Sequence, residues 1–279
     1  MARKRLITQL LVTITTNSYL KGFIDGKIFQ GKTKNICVPG LNCYSCPGAI
    51  GSCPIGSLQA VINSARYKIS YYVIGLIALF GVIFGRFVCG WLCPFGWIQE
   101  LIYKTPLKKV RWDKKLRLTK YLKYVILIVF VLWLPSLVNE FGVASPTFCE
   151  YICPAGTLEA SLPLLATNSP LREIIGGLFY WKLSILVTLI FLSMILYRPF
   201  CYAVCPLGAI YSVFNKISYY QIKVEHQMCV ECKVCQQVCK YDIYAVYDPN
   251  SSECIRCGDC VEACPTGALK MGFGFKKDK

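Results

Sequence analysis

Cysteine is the residue type in this sequence whose number and spacing could do chemistry, with eighteen in 279 residues. Eight fall in two consecutive runs, Cys229-x2-Cys232-x2-Cys235-x3-Cys239 and then Cys254-x2-Cys257-x2-Cys260-x3-Cys264-Pro265. A cubane cluster needs four thiolates at tetrahedral corners, and a tight C-x2-C-x2-C loop reaches only three irons. In paired runs the last cysteine of each ligates the other cluster. The spacing therefore assigns Cys229, Cys232, Cys235 and Cys264 to one 4Fe-4S centre, and Cys254, Cys257, Cys260 and Cys239 to a second. Structural zinc takes two C-x2-C pairs per site and would leave the third and fourth cysteines of each run without a role. Lys240 stands where the first run would ordinarily carry proline.

The other cysteines follow a repeated word. Cys-Pro-x-Gly recurs at Cys53, Cys93, Cys153 and Cys205, and again at Cys264. Cys89-x3-Cys93-Pro94 and Cys201-x3-Cys205-Pro206 match each other, and together they offer four thiolates for one inner centre. Arg86 and Arg198 each stand three residues before these pairs. There a guanidinium could donate hydrogen bonds to cluster sulfurs and raise the potential, or simply snorkel to a membrane interface. A disulfide or structural pairing of the four cysteines is the alternative. Six cysteines remain for an outer site: Cys37, Cys43, Cys46, Cys53, Cys149 and Cys153. By analogy with the inner site the expected ligands are Cys46, Cys53, Cys149 and Cys153. Two alternatives stay open: Cys37, Cys43, Cys46 and Cys53 binding a centre beside a Cys149/Cys153 dithiol, or outer disulfides.

The elements that must position these residues are apolar. A hydrophobic fraction of 55% with 16% charged residues exceeds what a soluble chain of this size carries, so a membrane part is expected. The apolar stretches are Leu6–Leu20, Ile69–Gly85, Tyr124–Asn139 and about Gly177–Tyr197, each near the lower limit for a span; a buried soluble helix is the alternative for each. Arg3, Lys4 and Arg5 before the first stretch read as an uncleaved anchor, without a small-residue cleavage site. Nine bases, Lys104, Lys108, Lys109, Arg111, Lys114, Lys115, Arg117, Lys120 and Lys123, crowd one loop. With the amino-terminal bases they place both segments on the cytoplasmic side. The bases of 21–68, in an outer loop, run against this topology. The formal charge of +16 falls to about +8 with four clusters of about −2 each, and the bases suit a membrane topology better than a nucleic-acid groove. The expected fold is a mainly α membrane protein. Residues 1–215 would form four transmembrane helices in two parallel repeats, each running span, outer Cys-Pro, span, inner Cys-Pro. Residues 216–279 would form an α+β two-cluster ferredoxin-like domain.

On Cys89-x3-Cys93-Pro94, Cys201-x3-Cys205-Pro206, four spans and the two cysteine runs, the chain resembles the membrane-bound polyferredoxins of the NapH type, with relatives in the NosR and FixG (CcoG) groups. The resemblance covers most of residues 70–270 and implies an electron-relay or quinol-dehydrogenase subunit with partner redox subunits or a ferredoxin in the cytoplasm and an acceptor outside. The cysteine-rich segment Cys37–Cys53, with Cys149 and Cys153, departs from NapH. A bilayer core of about 30 Å is too wide for one electron hop, so a quinone or clusters sunk inward must bridge it; one histidine, His226, excludes a bis-histidine haem. His226 reads as a surface residue, and Tyr71, Tyr72, Trp91, Trp97 and Trp112 as interface anchors. Neither a nucleophile with its base, nor a phosphate loop, nor an open metal site is visible. The competing functions are a FixG-like metal or thiol reductase and a redox-sensing regulator.

Overall fold

The structure is a computed structural model and describes residues 1–63, 71–112, 116–137 and 145–274. The fold is mainly helical, with one two-stranded antiparallel sheet, β1 (Tyr220–Val224) and β2 (Leu269–Phe273). Two helices are long and apolar enough to cross a membrane, Leu116–Ser136 and Gly177–Ile195. They correspond to the third and fourth expected spans; Asn139, the end of the third, lies outside the described residues, as do Lys114 and Lys115. At about 1.5 Å per residue the 19-residue Gly177–Ile195 helix is about 28 Å long. Its Val187, Phe191 and Leu192 are exposed, as are Val125, Ile128, Leu132 and Trp133 of its partner. Exposed apolar side chains along both helices suit lipid, not water.

The other two stretches behave differently. Ile69 and Ser70 lie outside the described residues, and the helix that follows, Tyr71–Phe84, has 14 residues, about 21 Å. The first helix is Ala2–Thr16, so the expected Leu6–Leu20 boundaries shift toward the amino terminus. One of its faces is polar and buried: Arg5 and Gln9 are 3% and 2% exposed. Gln9 Nε2 donates to Gly90 O at 2.8 Å, and Arg5 pairs with Glu100. That face packs on protein, which is why the stretch is poor in apolar residues.

Each of the four Cys-Pro words before the ferredoxin runs opens a helix. Proline is preorganised for the first helical position, where its missing N–H costs nothing, and the cysteine before it caps the turn. Pro94–Tyr103 and Pro206–Phe214 begin this way, with Gly96 N and Gly208 N donating to Cys93 Sγ and Cys205 Sγ at 3.4 and 3.3 Å. Pro54–Asn63 and Pro154–Gly156 follow Cys53 and Cys153. A large core gathers the Cys-Pro helices, and a small second core gathers Ile222, Val224, Cys235, Ala245, Val246 and Leu269.

The two parts are closely docked. Arg86 reaches Glu253 Oε2 (2.6 Å) and Ser252 O (2.9 Å), Lys123 Nζ reaches both Glu253 oxygens at 2.7 Å, and Trp91 Nε1 donates to Arg256 O at 2.9 Å. The amino terminus pairs with Glu262 at 2.9 Å, so the start of the chain and the carboxy-terminal part share one side.

Candidate iron-sulfur sites

The two carboxy-terminal runs fold into matching loops. Glu231 and Arg256, each two residues after the first cysteine of a run, have φ near +52°, and Lys233 and Gly258, one after the second, have φ of +59° and +88°. Non-glycine residues adopt this left-handed region at a cost. Here it turns successive residues around a common centre. One cavity is lined by Cys229, Cys232, Cys235 and Cys264, the other by Cys239, Cys254, Cys257 and Cys260. The structure thus brings together both sets of four that the spacing assigns, crossover included. Burial pushes the Cys254 thiol up to about 11 and Cys257 to about 12, so without a metal they are neutral thiols. Cys264 goes the other way: against the pull of burial, the Thr266 hydroxyl and the amides of Leu269 and Ala268 hold it below the usual thiol value. Lys240 Nζ, in the proline's place, pairs with Asp259 at 3.1 Å and lies over the Tyr197 ring. The exchange trades a stiff corner for a docking cation.

Cys89, Cys93, Cys201 and Cys205, the inner set, are all buried and lie within one another's electrostatic reach: burial first, then the other thiols, push Cys93 and Cys205 up. Gln99 orients the group, donating from Nε2 to Cys201 Sγ at 3.2 Å and accepting from Phe200 N at 3.1 Å. Arg86 and Arg198 do not snorkel; both are completely buried. Arg198 donates to Cys89 O (2.6 Å) and Glu100 Oε2 (2.6 Å), and Arg86 to Cys201 O (3.1 Å). Burial raises the Cys89 thiol while both guanidinium groups oppose the rise. Their Nε atoms are buried without hydrogen-bond partners. A cluster fits this site, because its sulfurs would be the missing acceptors. Trp91 and Trp112, expected at a membrane interface, belong here: Trp112 is 2% exposed and stacks on Tyr202 at 4.0 Å. Tyr71 and Tyr72 are exposed, as is His226.

On the outer side a cavity of about 620 Å3 is lined by Cys43, Cys53, Cys149 and Cys153. Cys46, expected among the ligands, does not line it; its Sγ lies 3.7 Å from Asn17 Oδ1. Cys37 lies apart, against the hydroxyls of Ser52 and Ser57. None of the eighteen cysteines is joined in a disulfide. Among the described residues no three His, Cys, Asp or Glu side chains converge tightly enough for one metal ion. Four thiolates that each hold a different iron of a cubane stand farther apart than four on a single zinc.

The inner and outer sites are neighbours. Leu41 lies against Cys93 and the next residue, Asn42, against Cys53, each amide lowering the thiol beside it. Two consecutive residues thus reach one thiol of each site, which puts those sulfurs on the order of 10 Å apart. One peptide segment therefore joins the two sites. Gly40 is required there, because a Cβ would meet Cys93 Cα at 2.9 Å.

Comparison with known proteins places this arrangement. A 4Fe-4S binding domain family matches residues 69–114, 124–162 and 178–219, and a second 4Fe-4S binding domain family matches 247–270. An uncharacterized protein of Methanocaldococcus jannaschii is 34% identical over 72% of this chain and 78% of its own length. The ferredoxin-type protein NapH of Haemophilus influenzae is 24% identical over 72% and 67%. The regulatory protein NosR of Stutzerimonas stutzeri is 26% identical over 64% of this chain and 23% of its own. The chain belongs to the NapH-type polyferredoxins. No solved structure matches it.

Several residues around the polyferredoxin's sites have no signal in cysteine spacing. Glu253, Lys123, Glu100 and Arg5 form the buried charge network between its two parts, and a lone acidic or basic residue says nothing of its partner. Gln59 and Gln99 did leave a signal: each stands six residues after the cysteine of a Cys-Pro word.

Proposed function

We propose that the protein is a membrane-bound electron carrier, passing single electrons between a cytoplasmic donor or acceptor and a membrane or extracytoplasmic partner. When bound, 4Fe-4S clusters supply one-electron redox chemistry. The observation that carries the reading is the direct apposition of two cysteine sites across the docking interface. The carbonyl of Ile255, next to Cys254, packs on Gly90, next to Cys89, so closely that a Cβ at 90 would overlap it. The exposed thiol of Cys232 marks the distal run as the place where a soluble partner exchanges electrons.

Residues 1–215 form the membrane domain and 216–279 the ferredoxin-like domain in this reading, with four membrane-associated helices and both termini cytoplasmic. The shared side of Met1 and Glu262 and the positive-inside count support that orientation. For quinone, an apolar groove of about 340 Å3 beside Ile152, Trp181, Leu189, Phe200 and Val204 adjoins both Cys153 and Cys201. In the test, the protein in lipid vesicles is reduced from the ferredoxin side, and the reduction of a quinone analogue or an external acceptor is followed. Cys93→Ser and Cys205→Ser should stop electrons reaching the acceptor while the carboxy-terminal centres still reduce. Undiminished transfer in both variants would overturn the reading.

A further inference from the structure

The outer cavity repeats the inner site in detail. At the inner site Gln99, six residues after Cys93, donates to Cys201 Sγ at 3.2 Å and accepts from Phe200 N at 3.1 Å. At the outer site Gln59, six residues after Cys53, donates to Cys149 Sγ at 3.2 Å and accepts from Phe148 N at 3.1 Å. Both glutamines are fully buried or nearly so. Cys53 and Cys153 precede the helix-opening prolines Pro54 and Pro154, as Cys93 and Cys205 precede Pro94 and Pro206 inside. One member differs. The position equivalent to Cys89, four residues before the Cys-Pro cysteine, is Ala49, which has no ligating atom. Cys43 fills that vacancy from the preceding loop. Its amide is fixed by Glu159 Oε2 at 2.8 Å, and its sulfur faces the cavity beside Gly156.

We propose that Cys43, Cys53, Cys149 and Cys153 bind a fourth 4Fe-4S cluster, with Gln59 as its sulfur-directed donor, and that Pro39–Cys43 is the link between this centre and the inner one. The proposal rests on the electron-carrier reading and names a site that reading does not need. Among the described residues no three of these thiols converge on one metal-ion position, which argues against a single zinc, and Lys182, whose Nζ donates to Cys149 O at 3.1 Å, places a cation beside the net negative charge that four thiolates impose. Tyr211 closes the link. It is completely buried, its hydroxyl donates to Pro39 O at 3.0 Å, and it stands among Cys89, Cys93, Cys205 and Cys53. The cavity opens past the exposed Tyr44, away from the ferredoxin-like part.

The test is metal and sulfide analysis with an EPR redox titration of the anaerobically purified full chain. Wild type should contain about sixteen irons. Cys43→Ser and Cys149→Ser should each lose about four with matching sulfide, and Cys46→Ser should lose none. Loss in Cys46→Ser but not in Cys43→Ser would overturn the ligand set, and about twelve irons in wild type with zinc or no metal at the outer site would overturn the cluster. Because a cysteine variant can misfold, Gln59→Glu provides a second readout. It keeps the oxygen that holds Phe148 N and removes the donor to sulfur, so one EPR-active centre should shift to lower potential with full iron retained. Gln99→Glu should shift a different centre. If both glutamine variants move the same centre, or Gln59→Glu moves none, the fourth cluster is refuted. Loss of four irons in Cys93→Ser with none lost in Cys43→Ser would leave the carrier reading standing and remove this one.

Discussion

Replacing Arg86 with methionine should lower the potential of the inner centre and loosen the ferredoxin-like part together. The guanidinium is completely buried and contacts both Glu253 and the carbonyl of Cys201. Arg86 lies near enough to Cys89 to oppose the rise of its thiol, and a unit charge at about 4 Å is worth about 4 kcal/mol at an effective dielectric of about 20. Removing it favours the oxidised form, and about 1.4 kcal/mol corresponds to about 59 mV for one electron. Allowing half of the interaction to be replaced by relaxation and Lys123, the shift is on the order of 100 mV downward. Methionine also leaves Ser252 O and Cys201 O without a donor, at about 1–3 kcal/mol each. The assay is an EPR redox titration beside a thermal melt. Arg86→Lys, which keeps the charge but not the fork, should recover most of the potential and little of the melting temperature. An inner potential unchanged within about 20 mV in Arg86→Met, well below the worked shift, would refute the assignment of Arg86 to that centre.

Gly90→Ala should keep all iron yet slow electron arrival at the inner centre, because a Cβ overlaps the Ile255 carbonyl and overpacking costs about 1–3 kcal/mol; freeze-quench EPR showing wild-type kinetics would contradict the docking contact. Glu100→Gln should destabilise by about 3–5 kcal/mol in denaturant melts, since it leaves buried Arg198 without its carboxylate and Arg5 with Asp259 alone. Although burial pulls the other way, Arg198 and Arg5 hold the Glu100 carboxyl at about 2, below its unfolded value of about 4.3. Its contribution is therefore complete above the unfolded value and lost as pH falls toward 2, so the variant's stability should vary less over that window. Cys239→Ser should abolish the centre of the Cys254 run and spare that of the Cys229 run, with Cys264→Ser doing the converse; EPR of each variant distinguishes this from ligation within each run.

The carboxy-terminal ligand sets were legible because a C-x2-C-x2-C loop is a local object: three cysteines within seven residues can reach one cluster whatever surrounds them. Cys89 with Cys93 and Cys201 with Cys205 were legible as a matched pair of words. The outer set was legible only in part. Analogy chose Cys46, the nearest cysteine upstream of Cys53 in sequence, while the cavity is lined by Cys43, on a loop whose amide is held by Glu159, more than a hundred residues away. Trp112 illustrates the same limit, since an aromatic beside basic residues reads as an interface anchor until Tyr202 is seen stacked upon it.

Residue types and short spacings carry the chemistry: eighteen thiols in repeated words, an apolar body, and a family. Local geometry translates those directly. Which thiols meet, and how far apart the meeting places lie, depends on the folded packing. Arg86 and Arg198 face inward because buried carboxylates and carbonyls await them, and the inner and outer sites adjoin because one short segment, Pro39–Cys43, packs between two Cys-Pro helices. Such contacts join residues separated by long stretches of chain, and burial fixes them; no spacing along the chain encodes them.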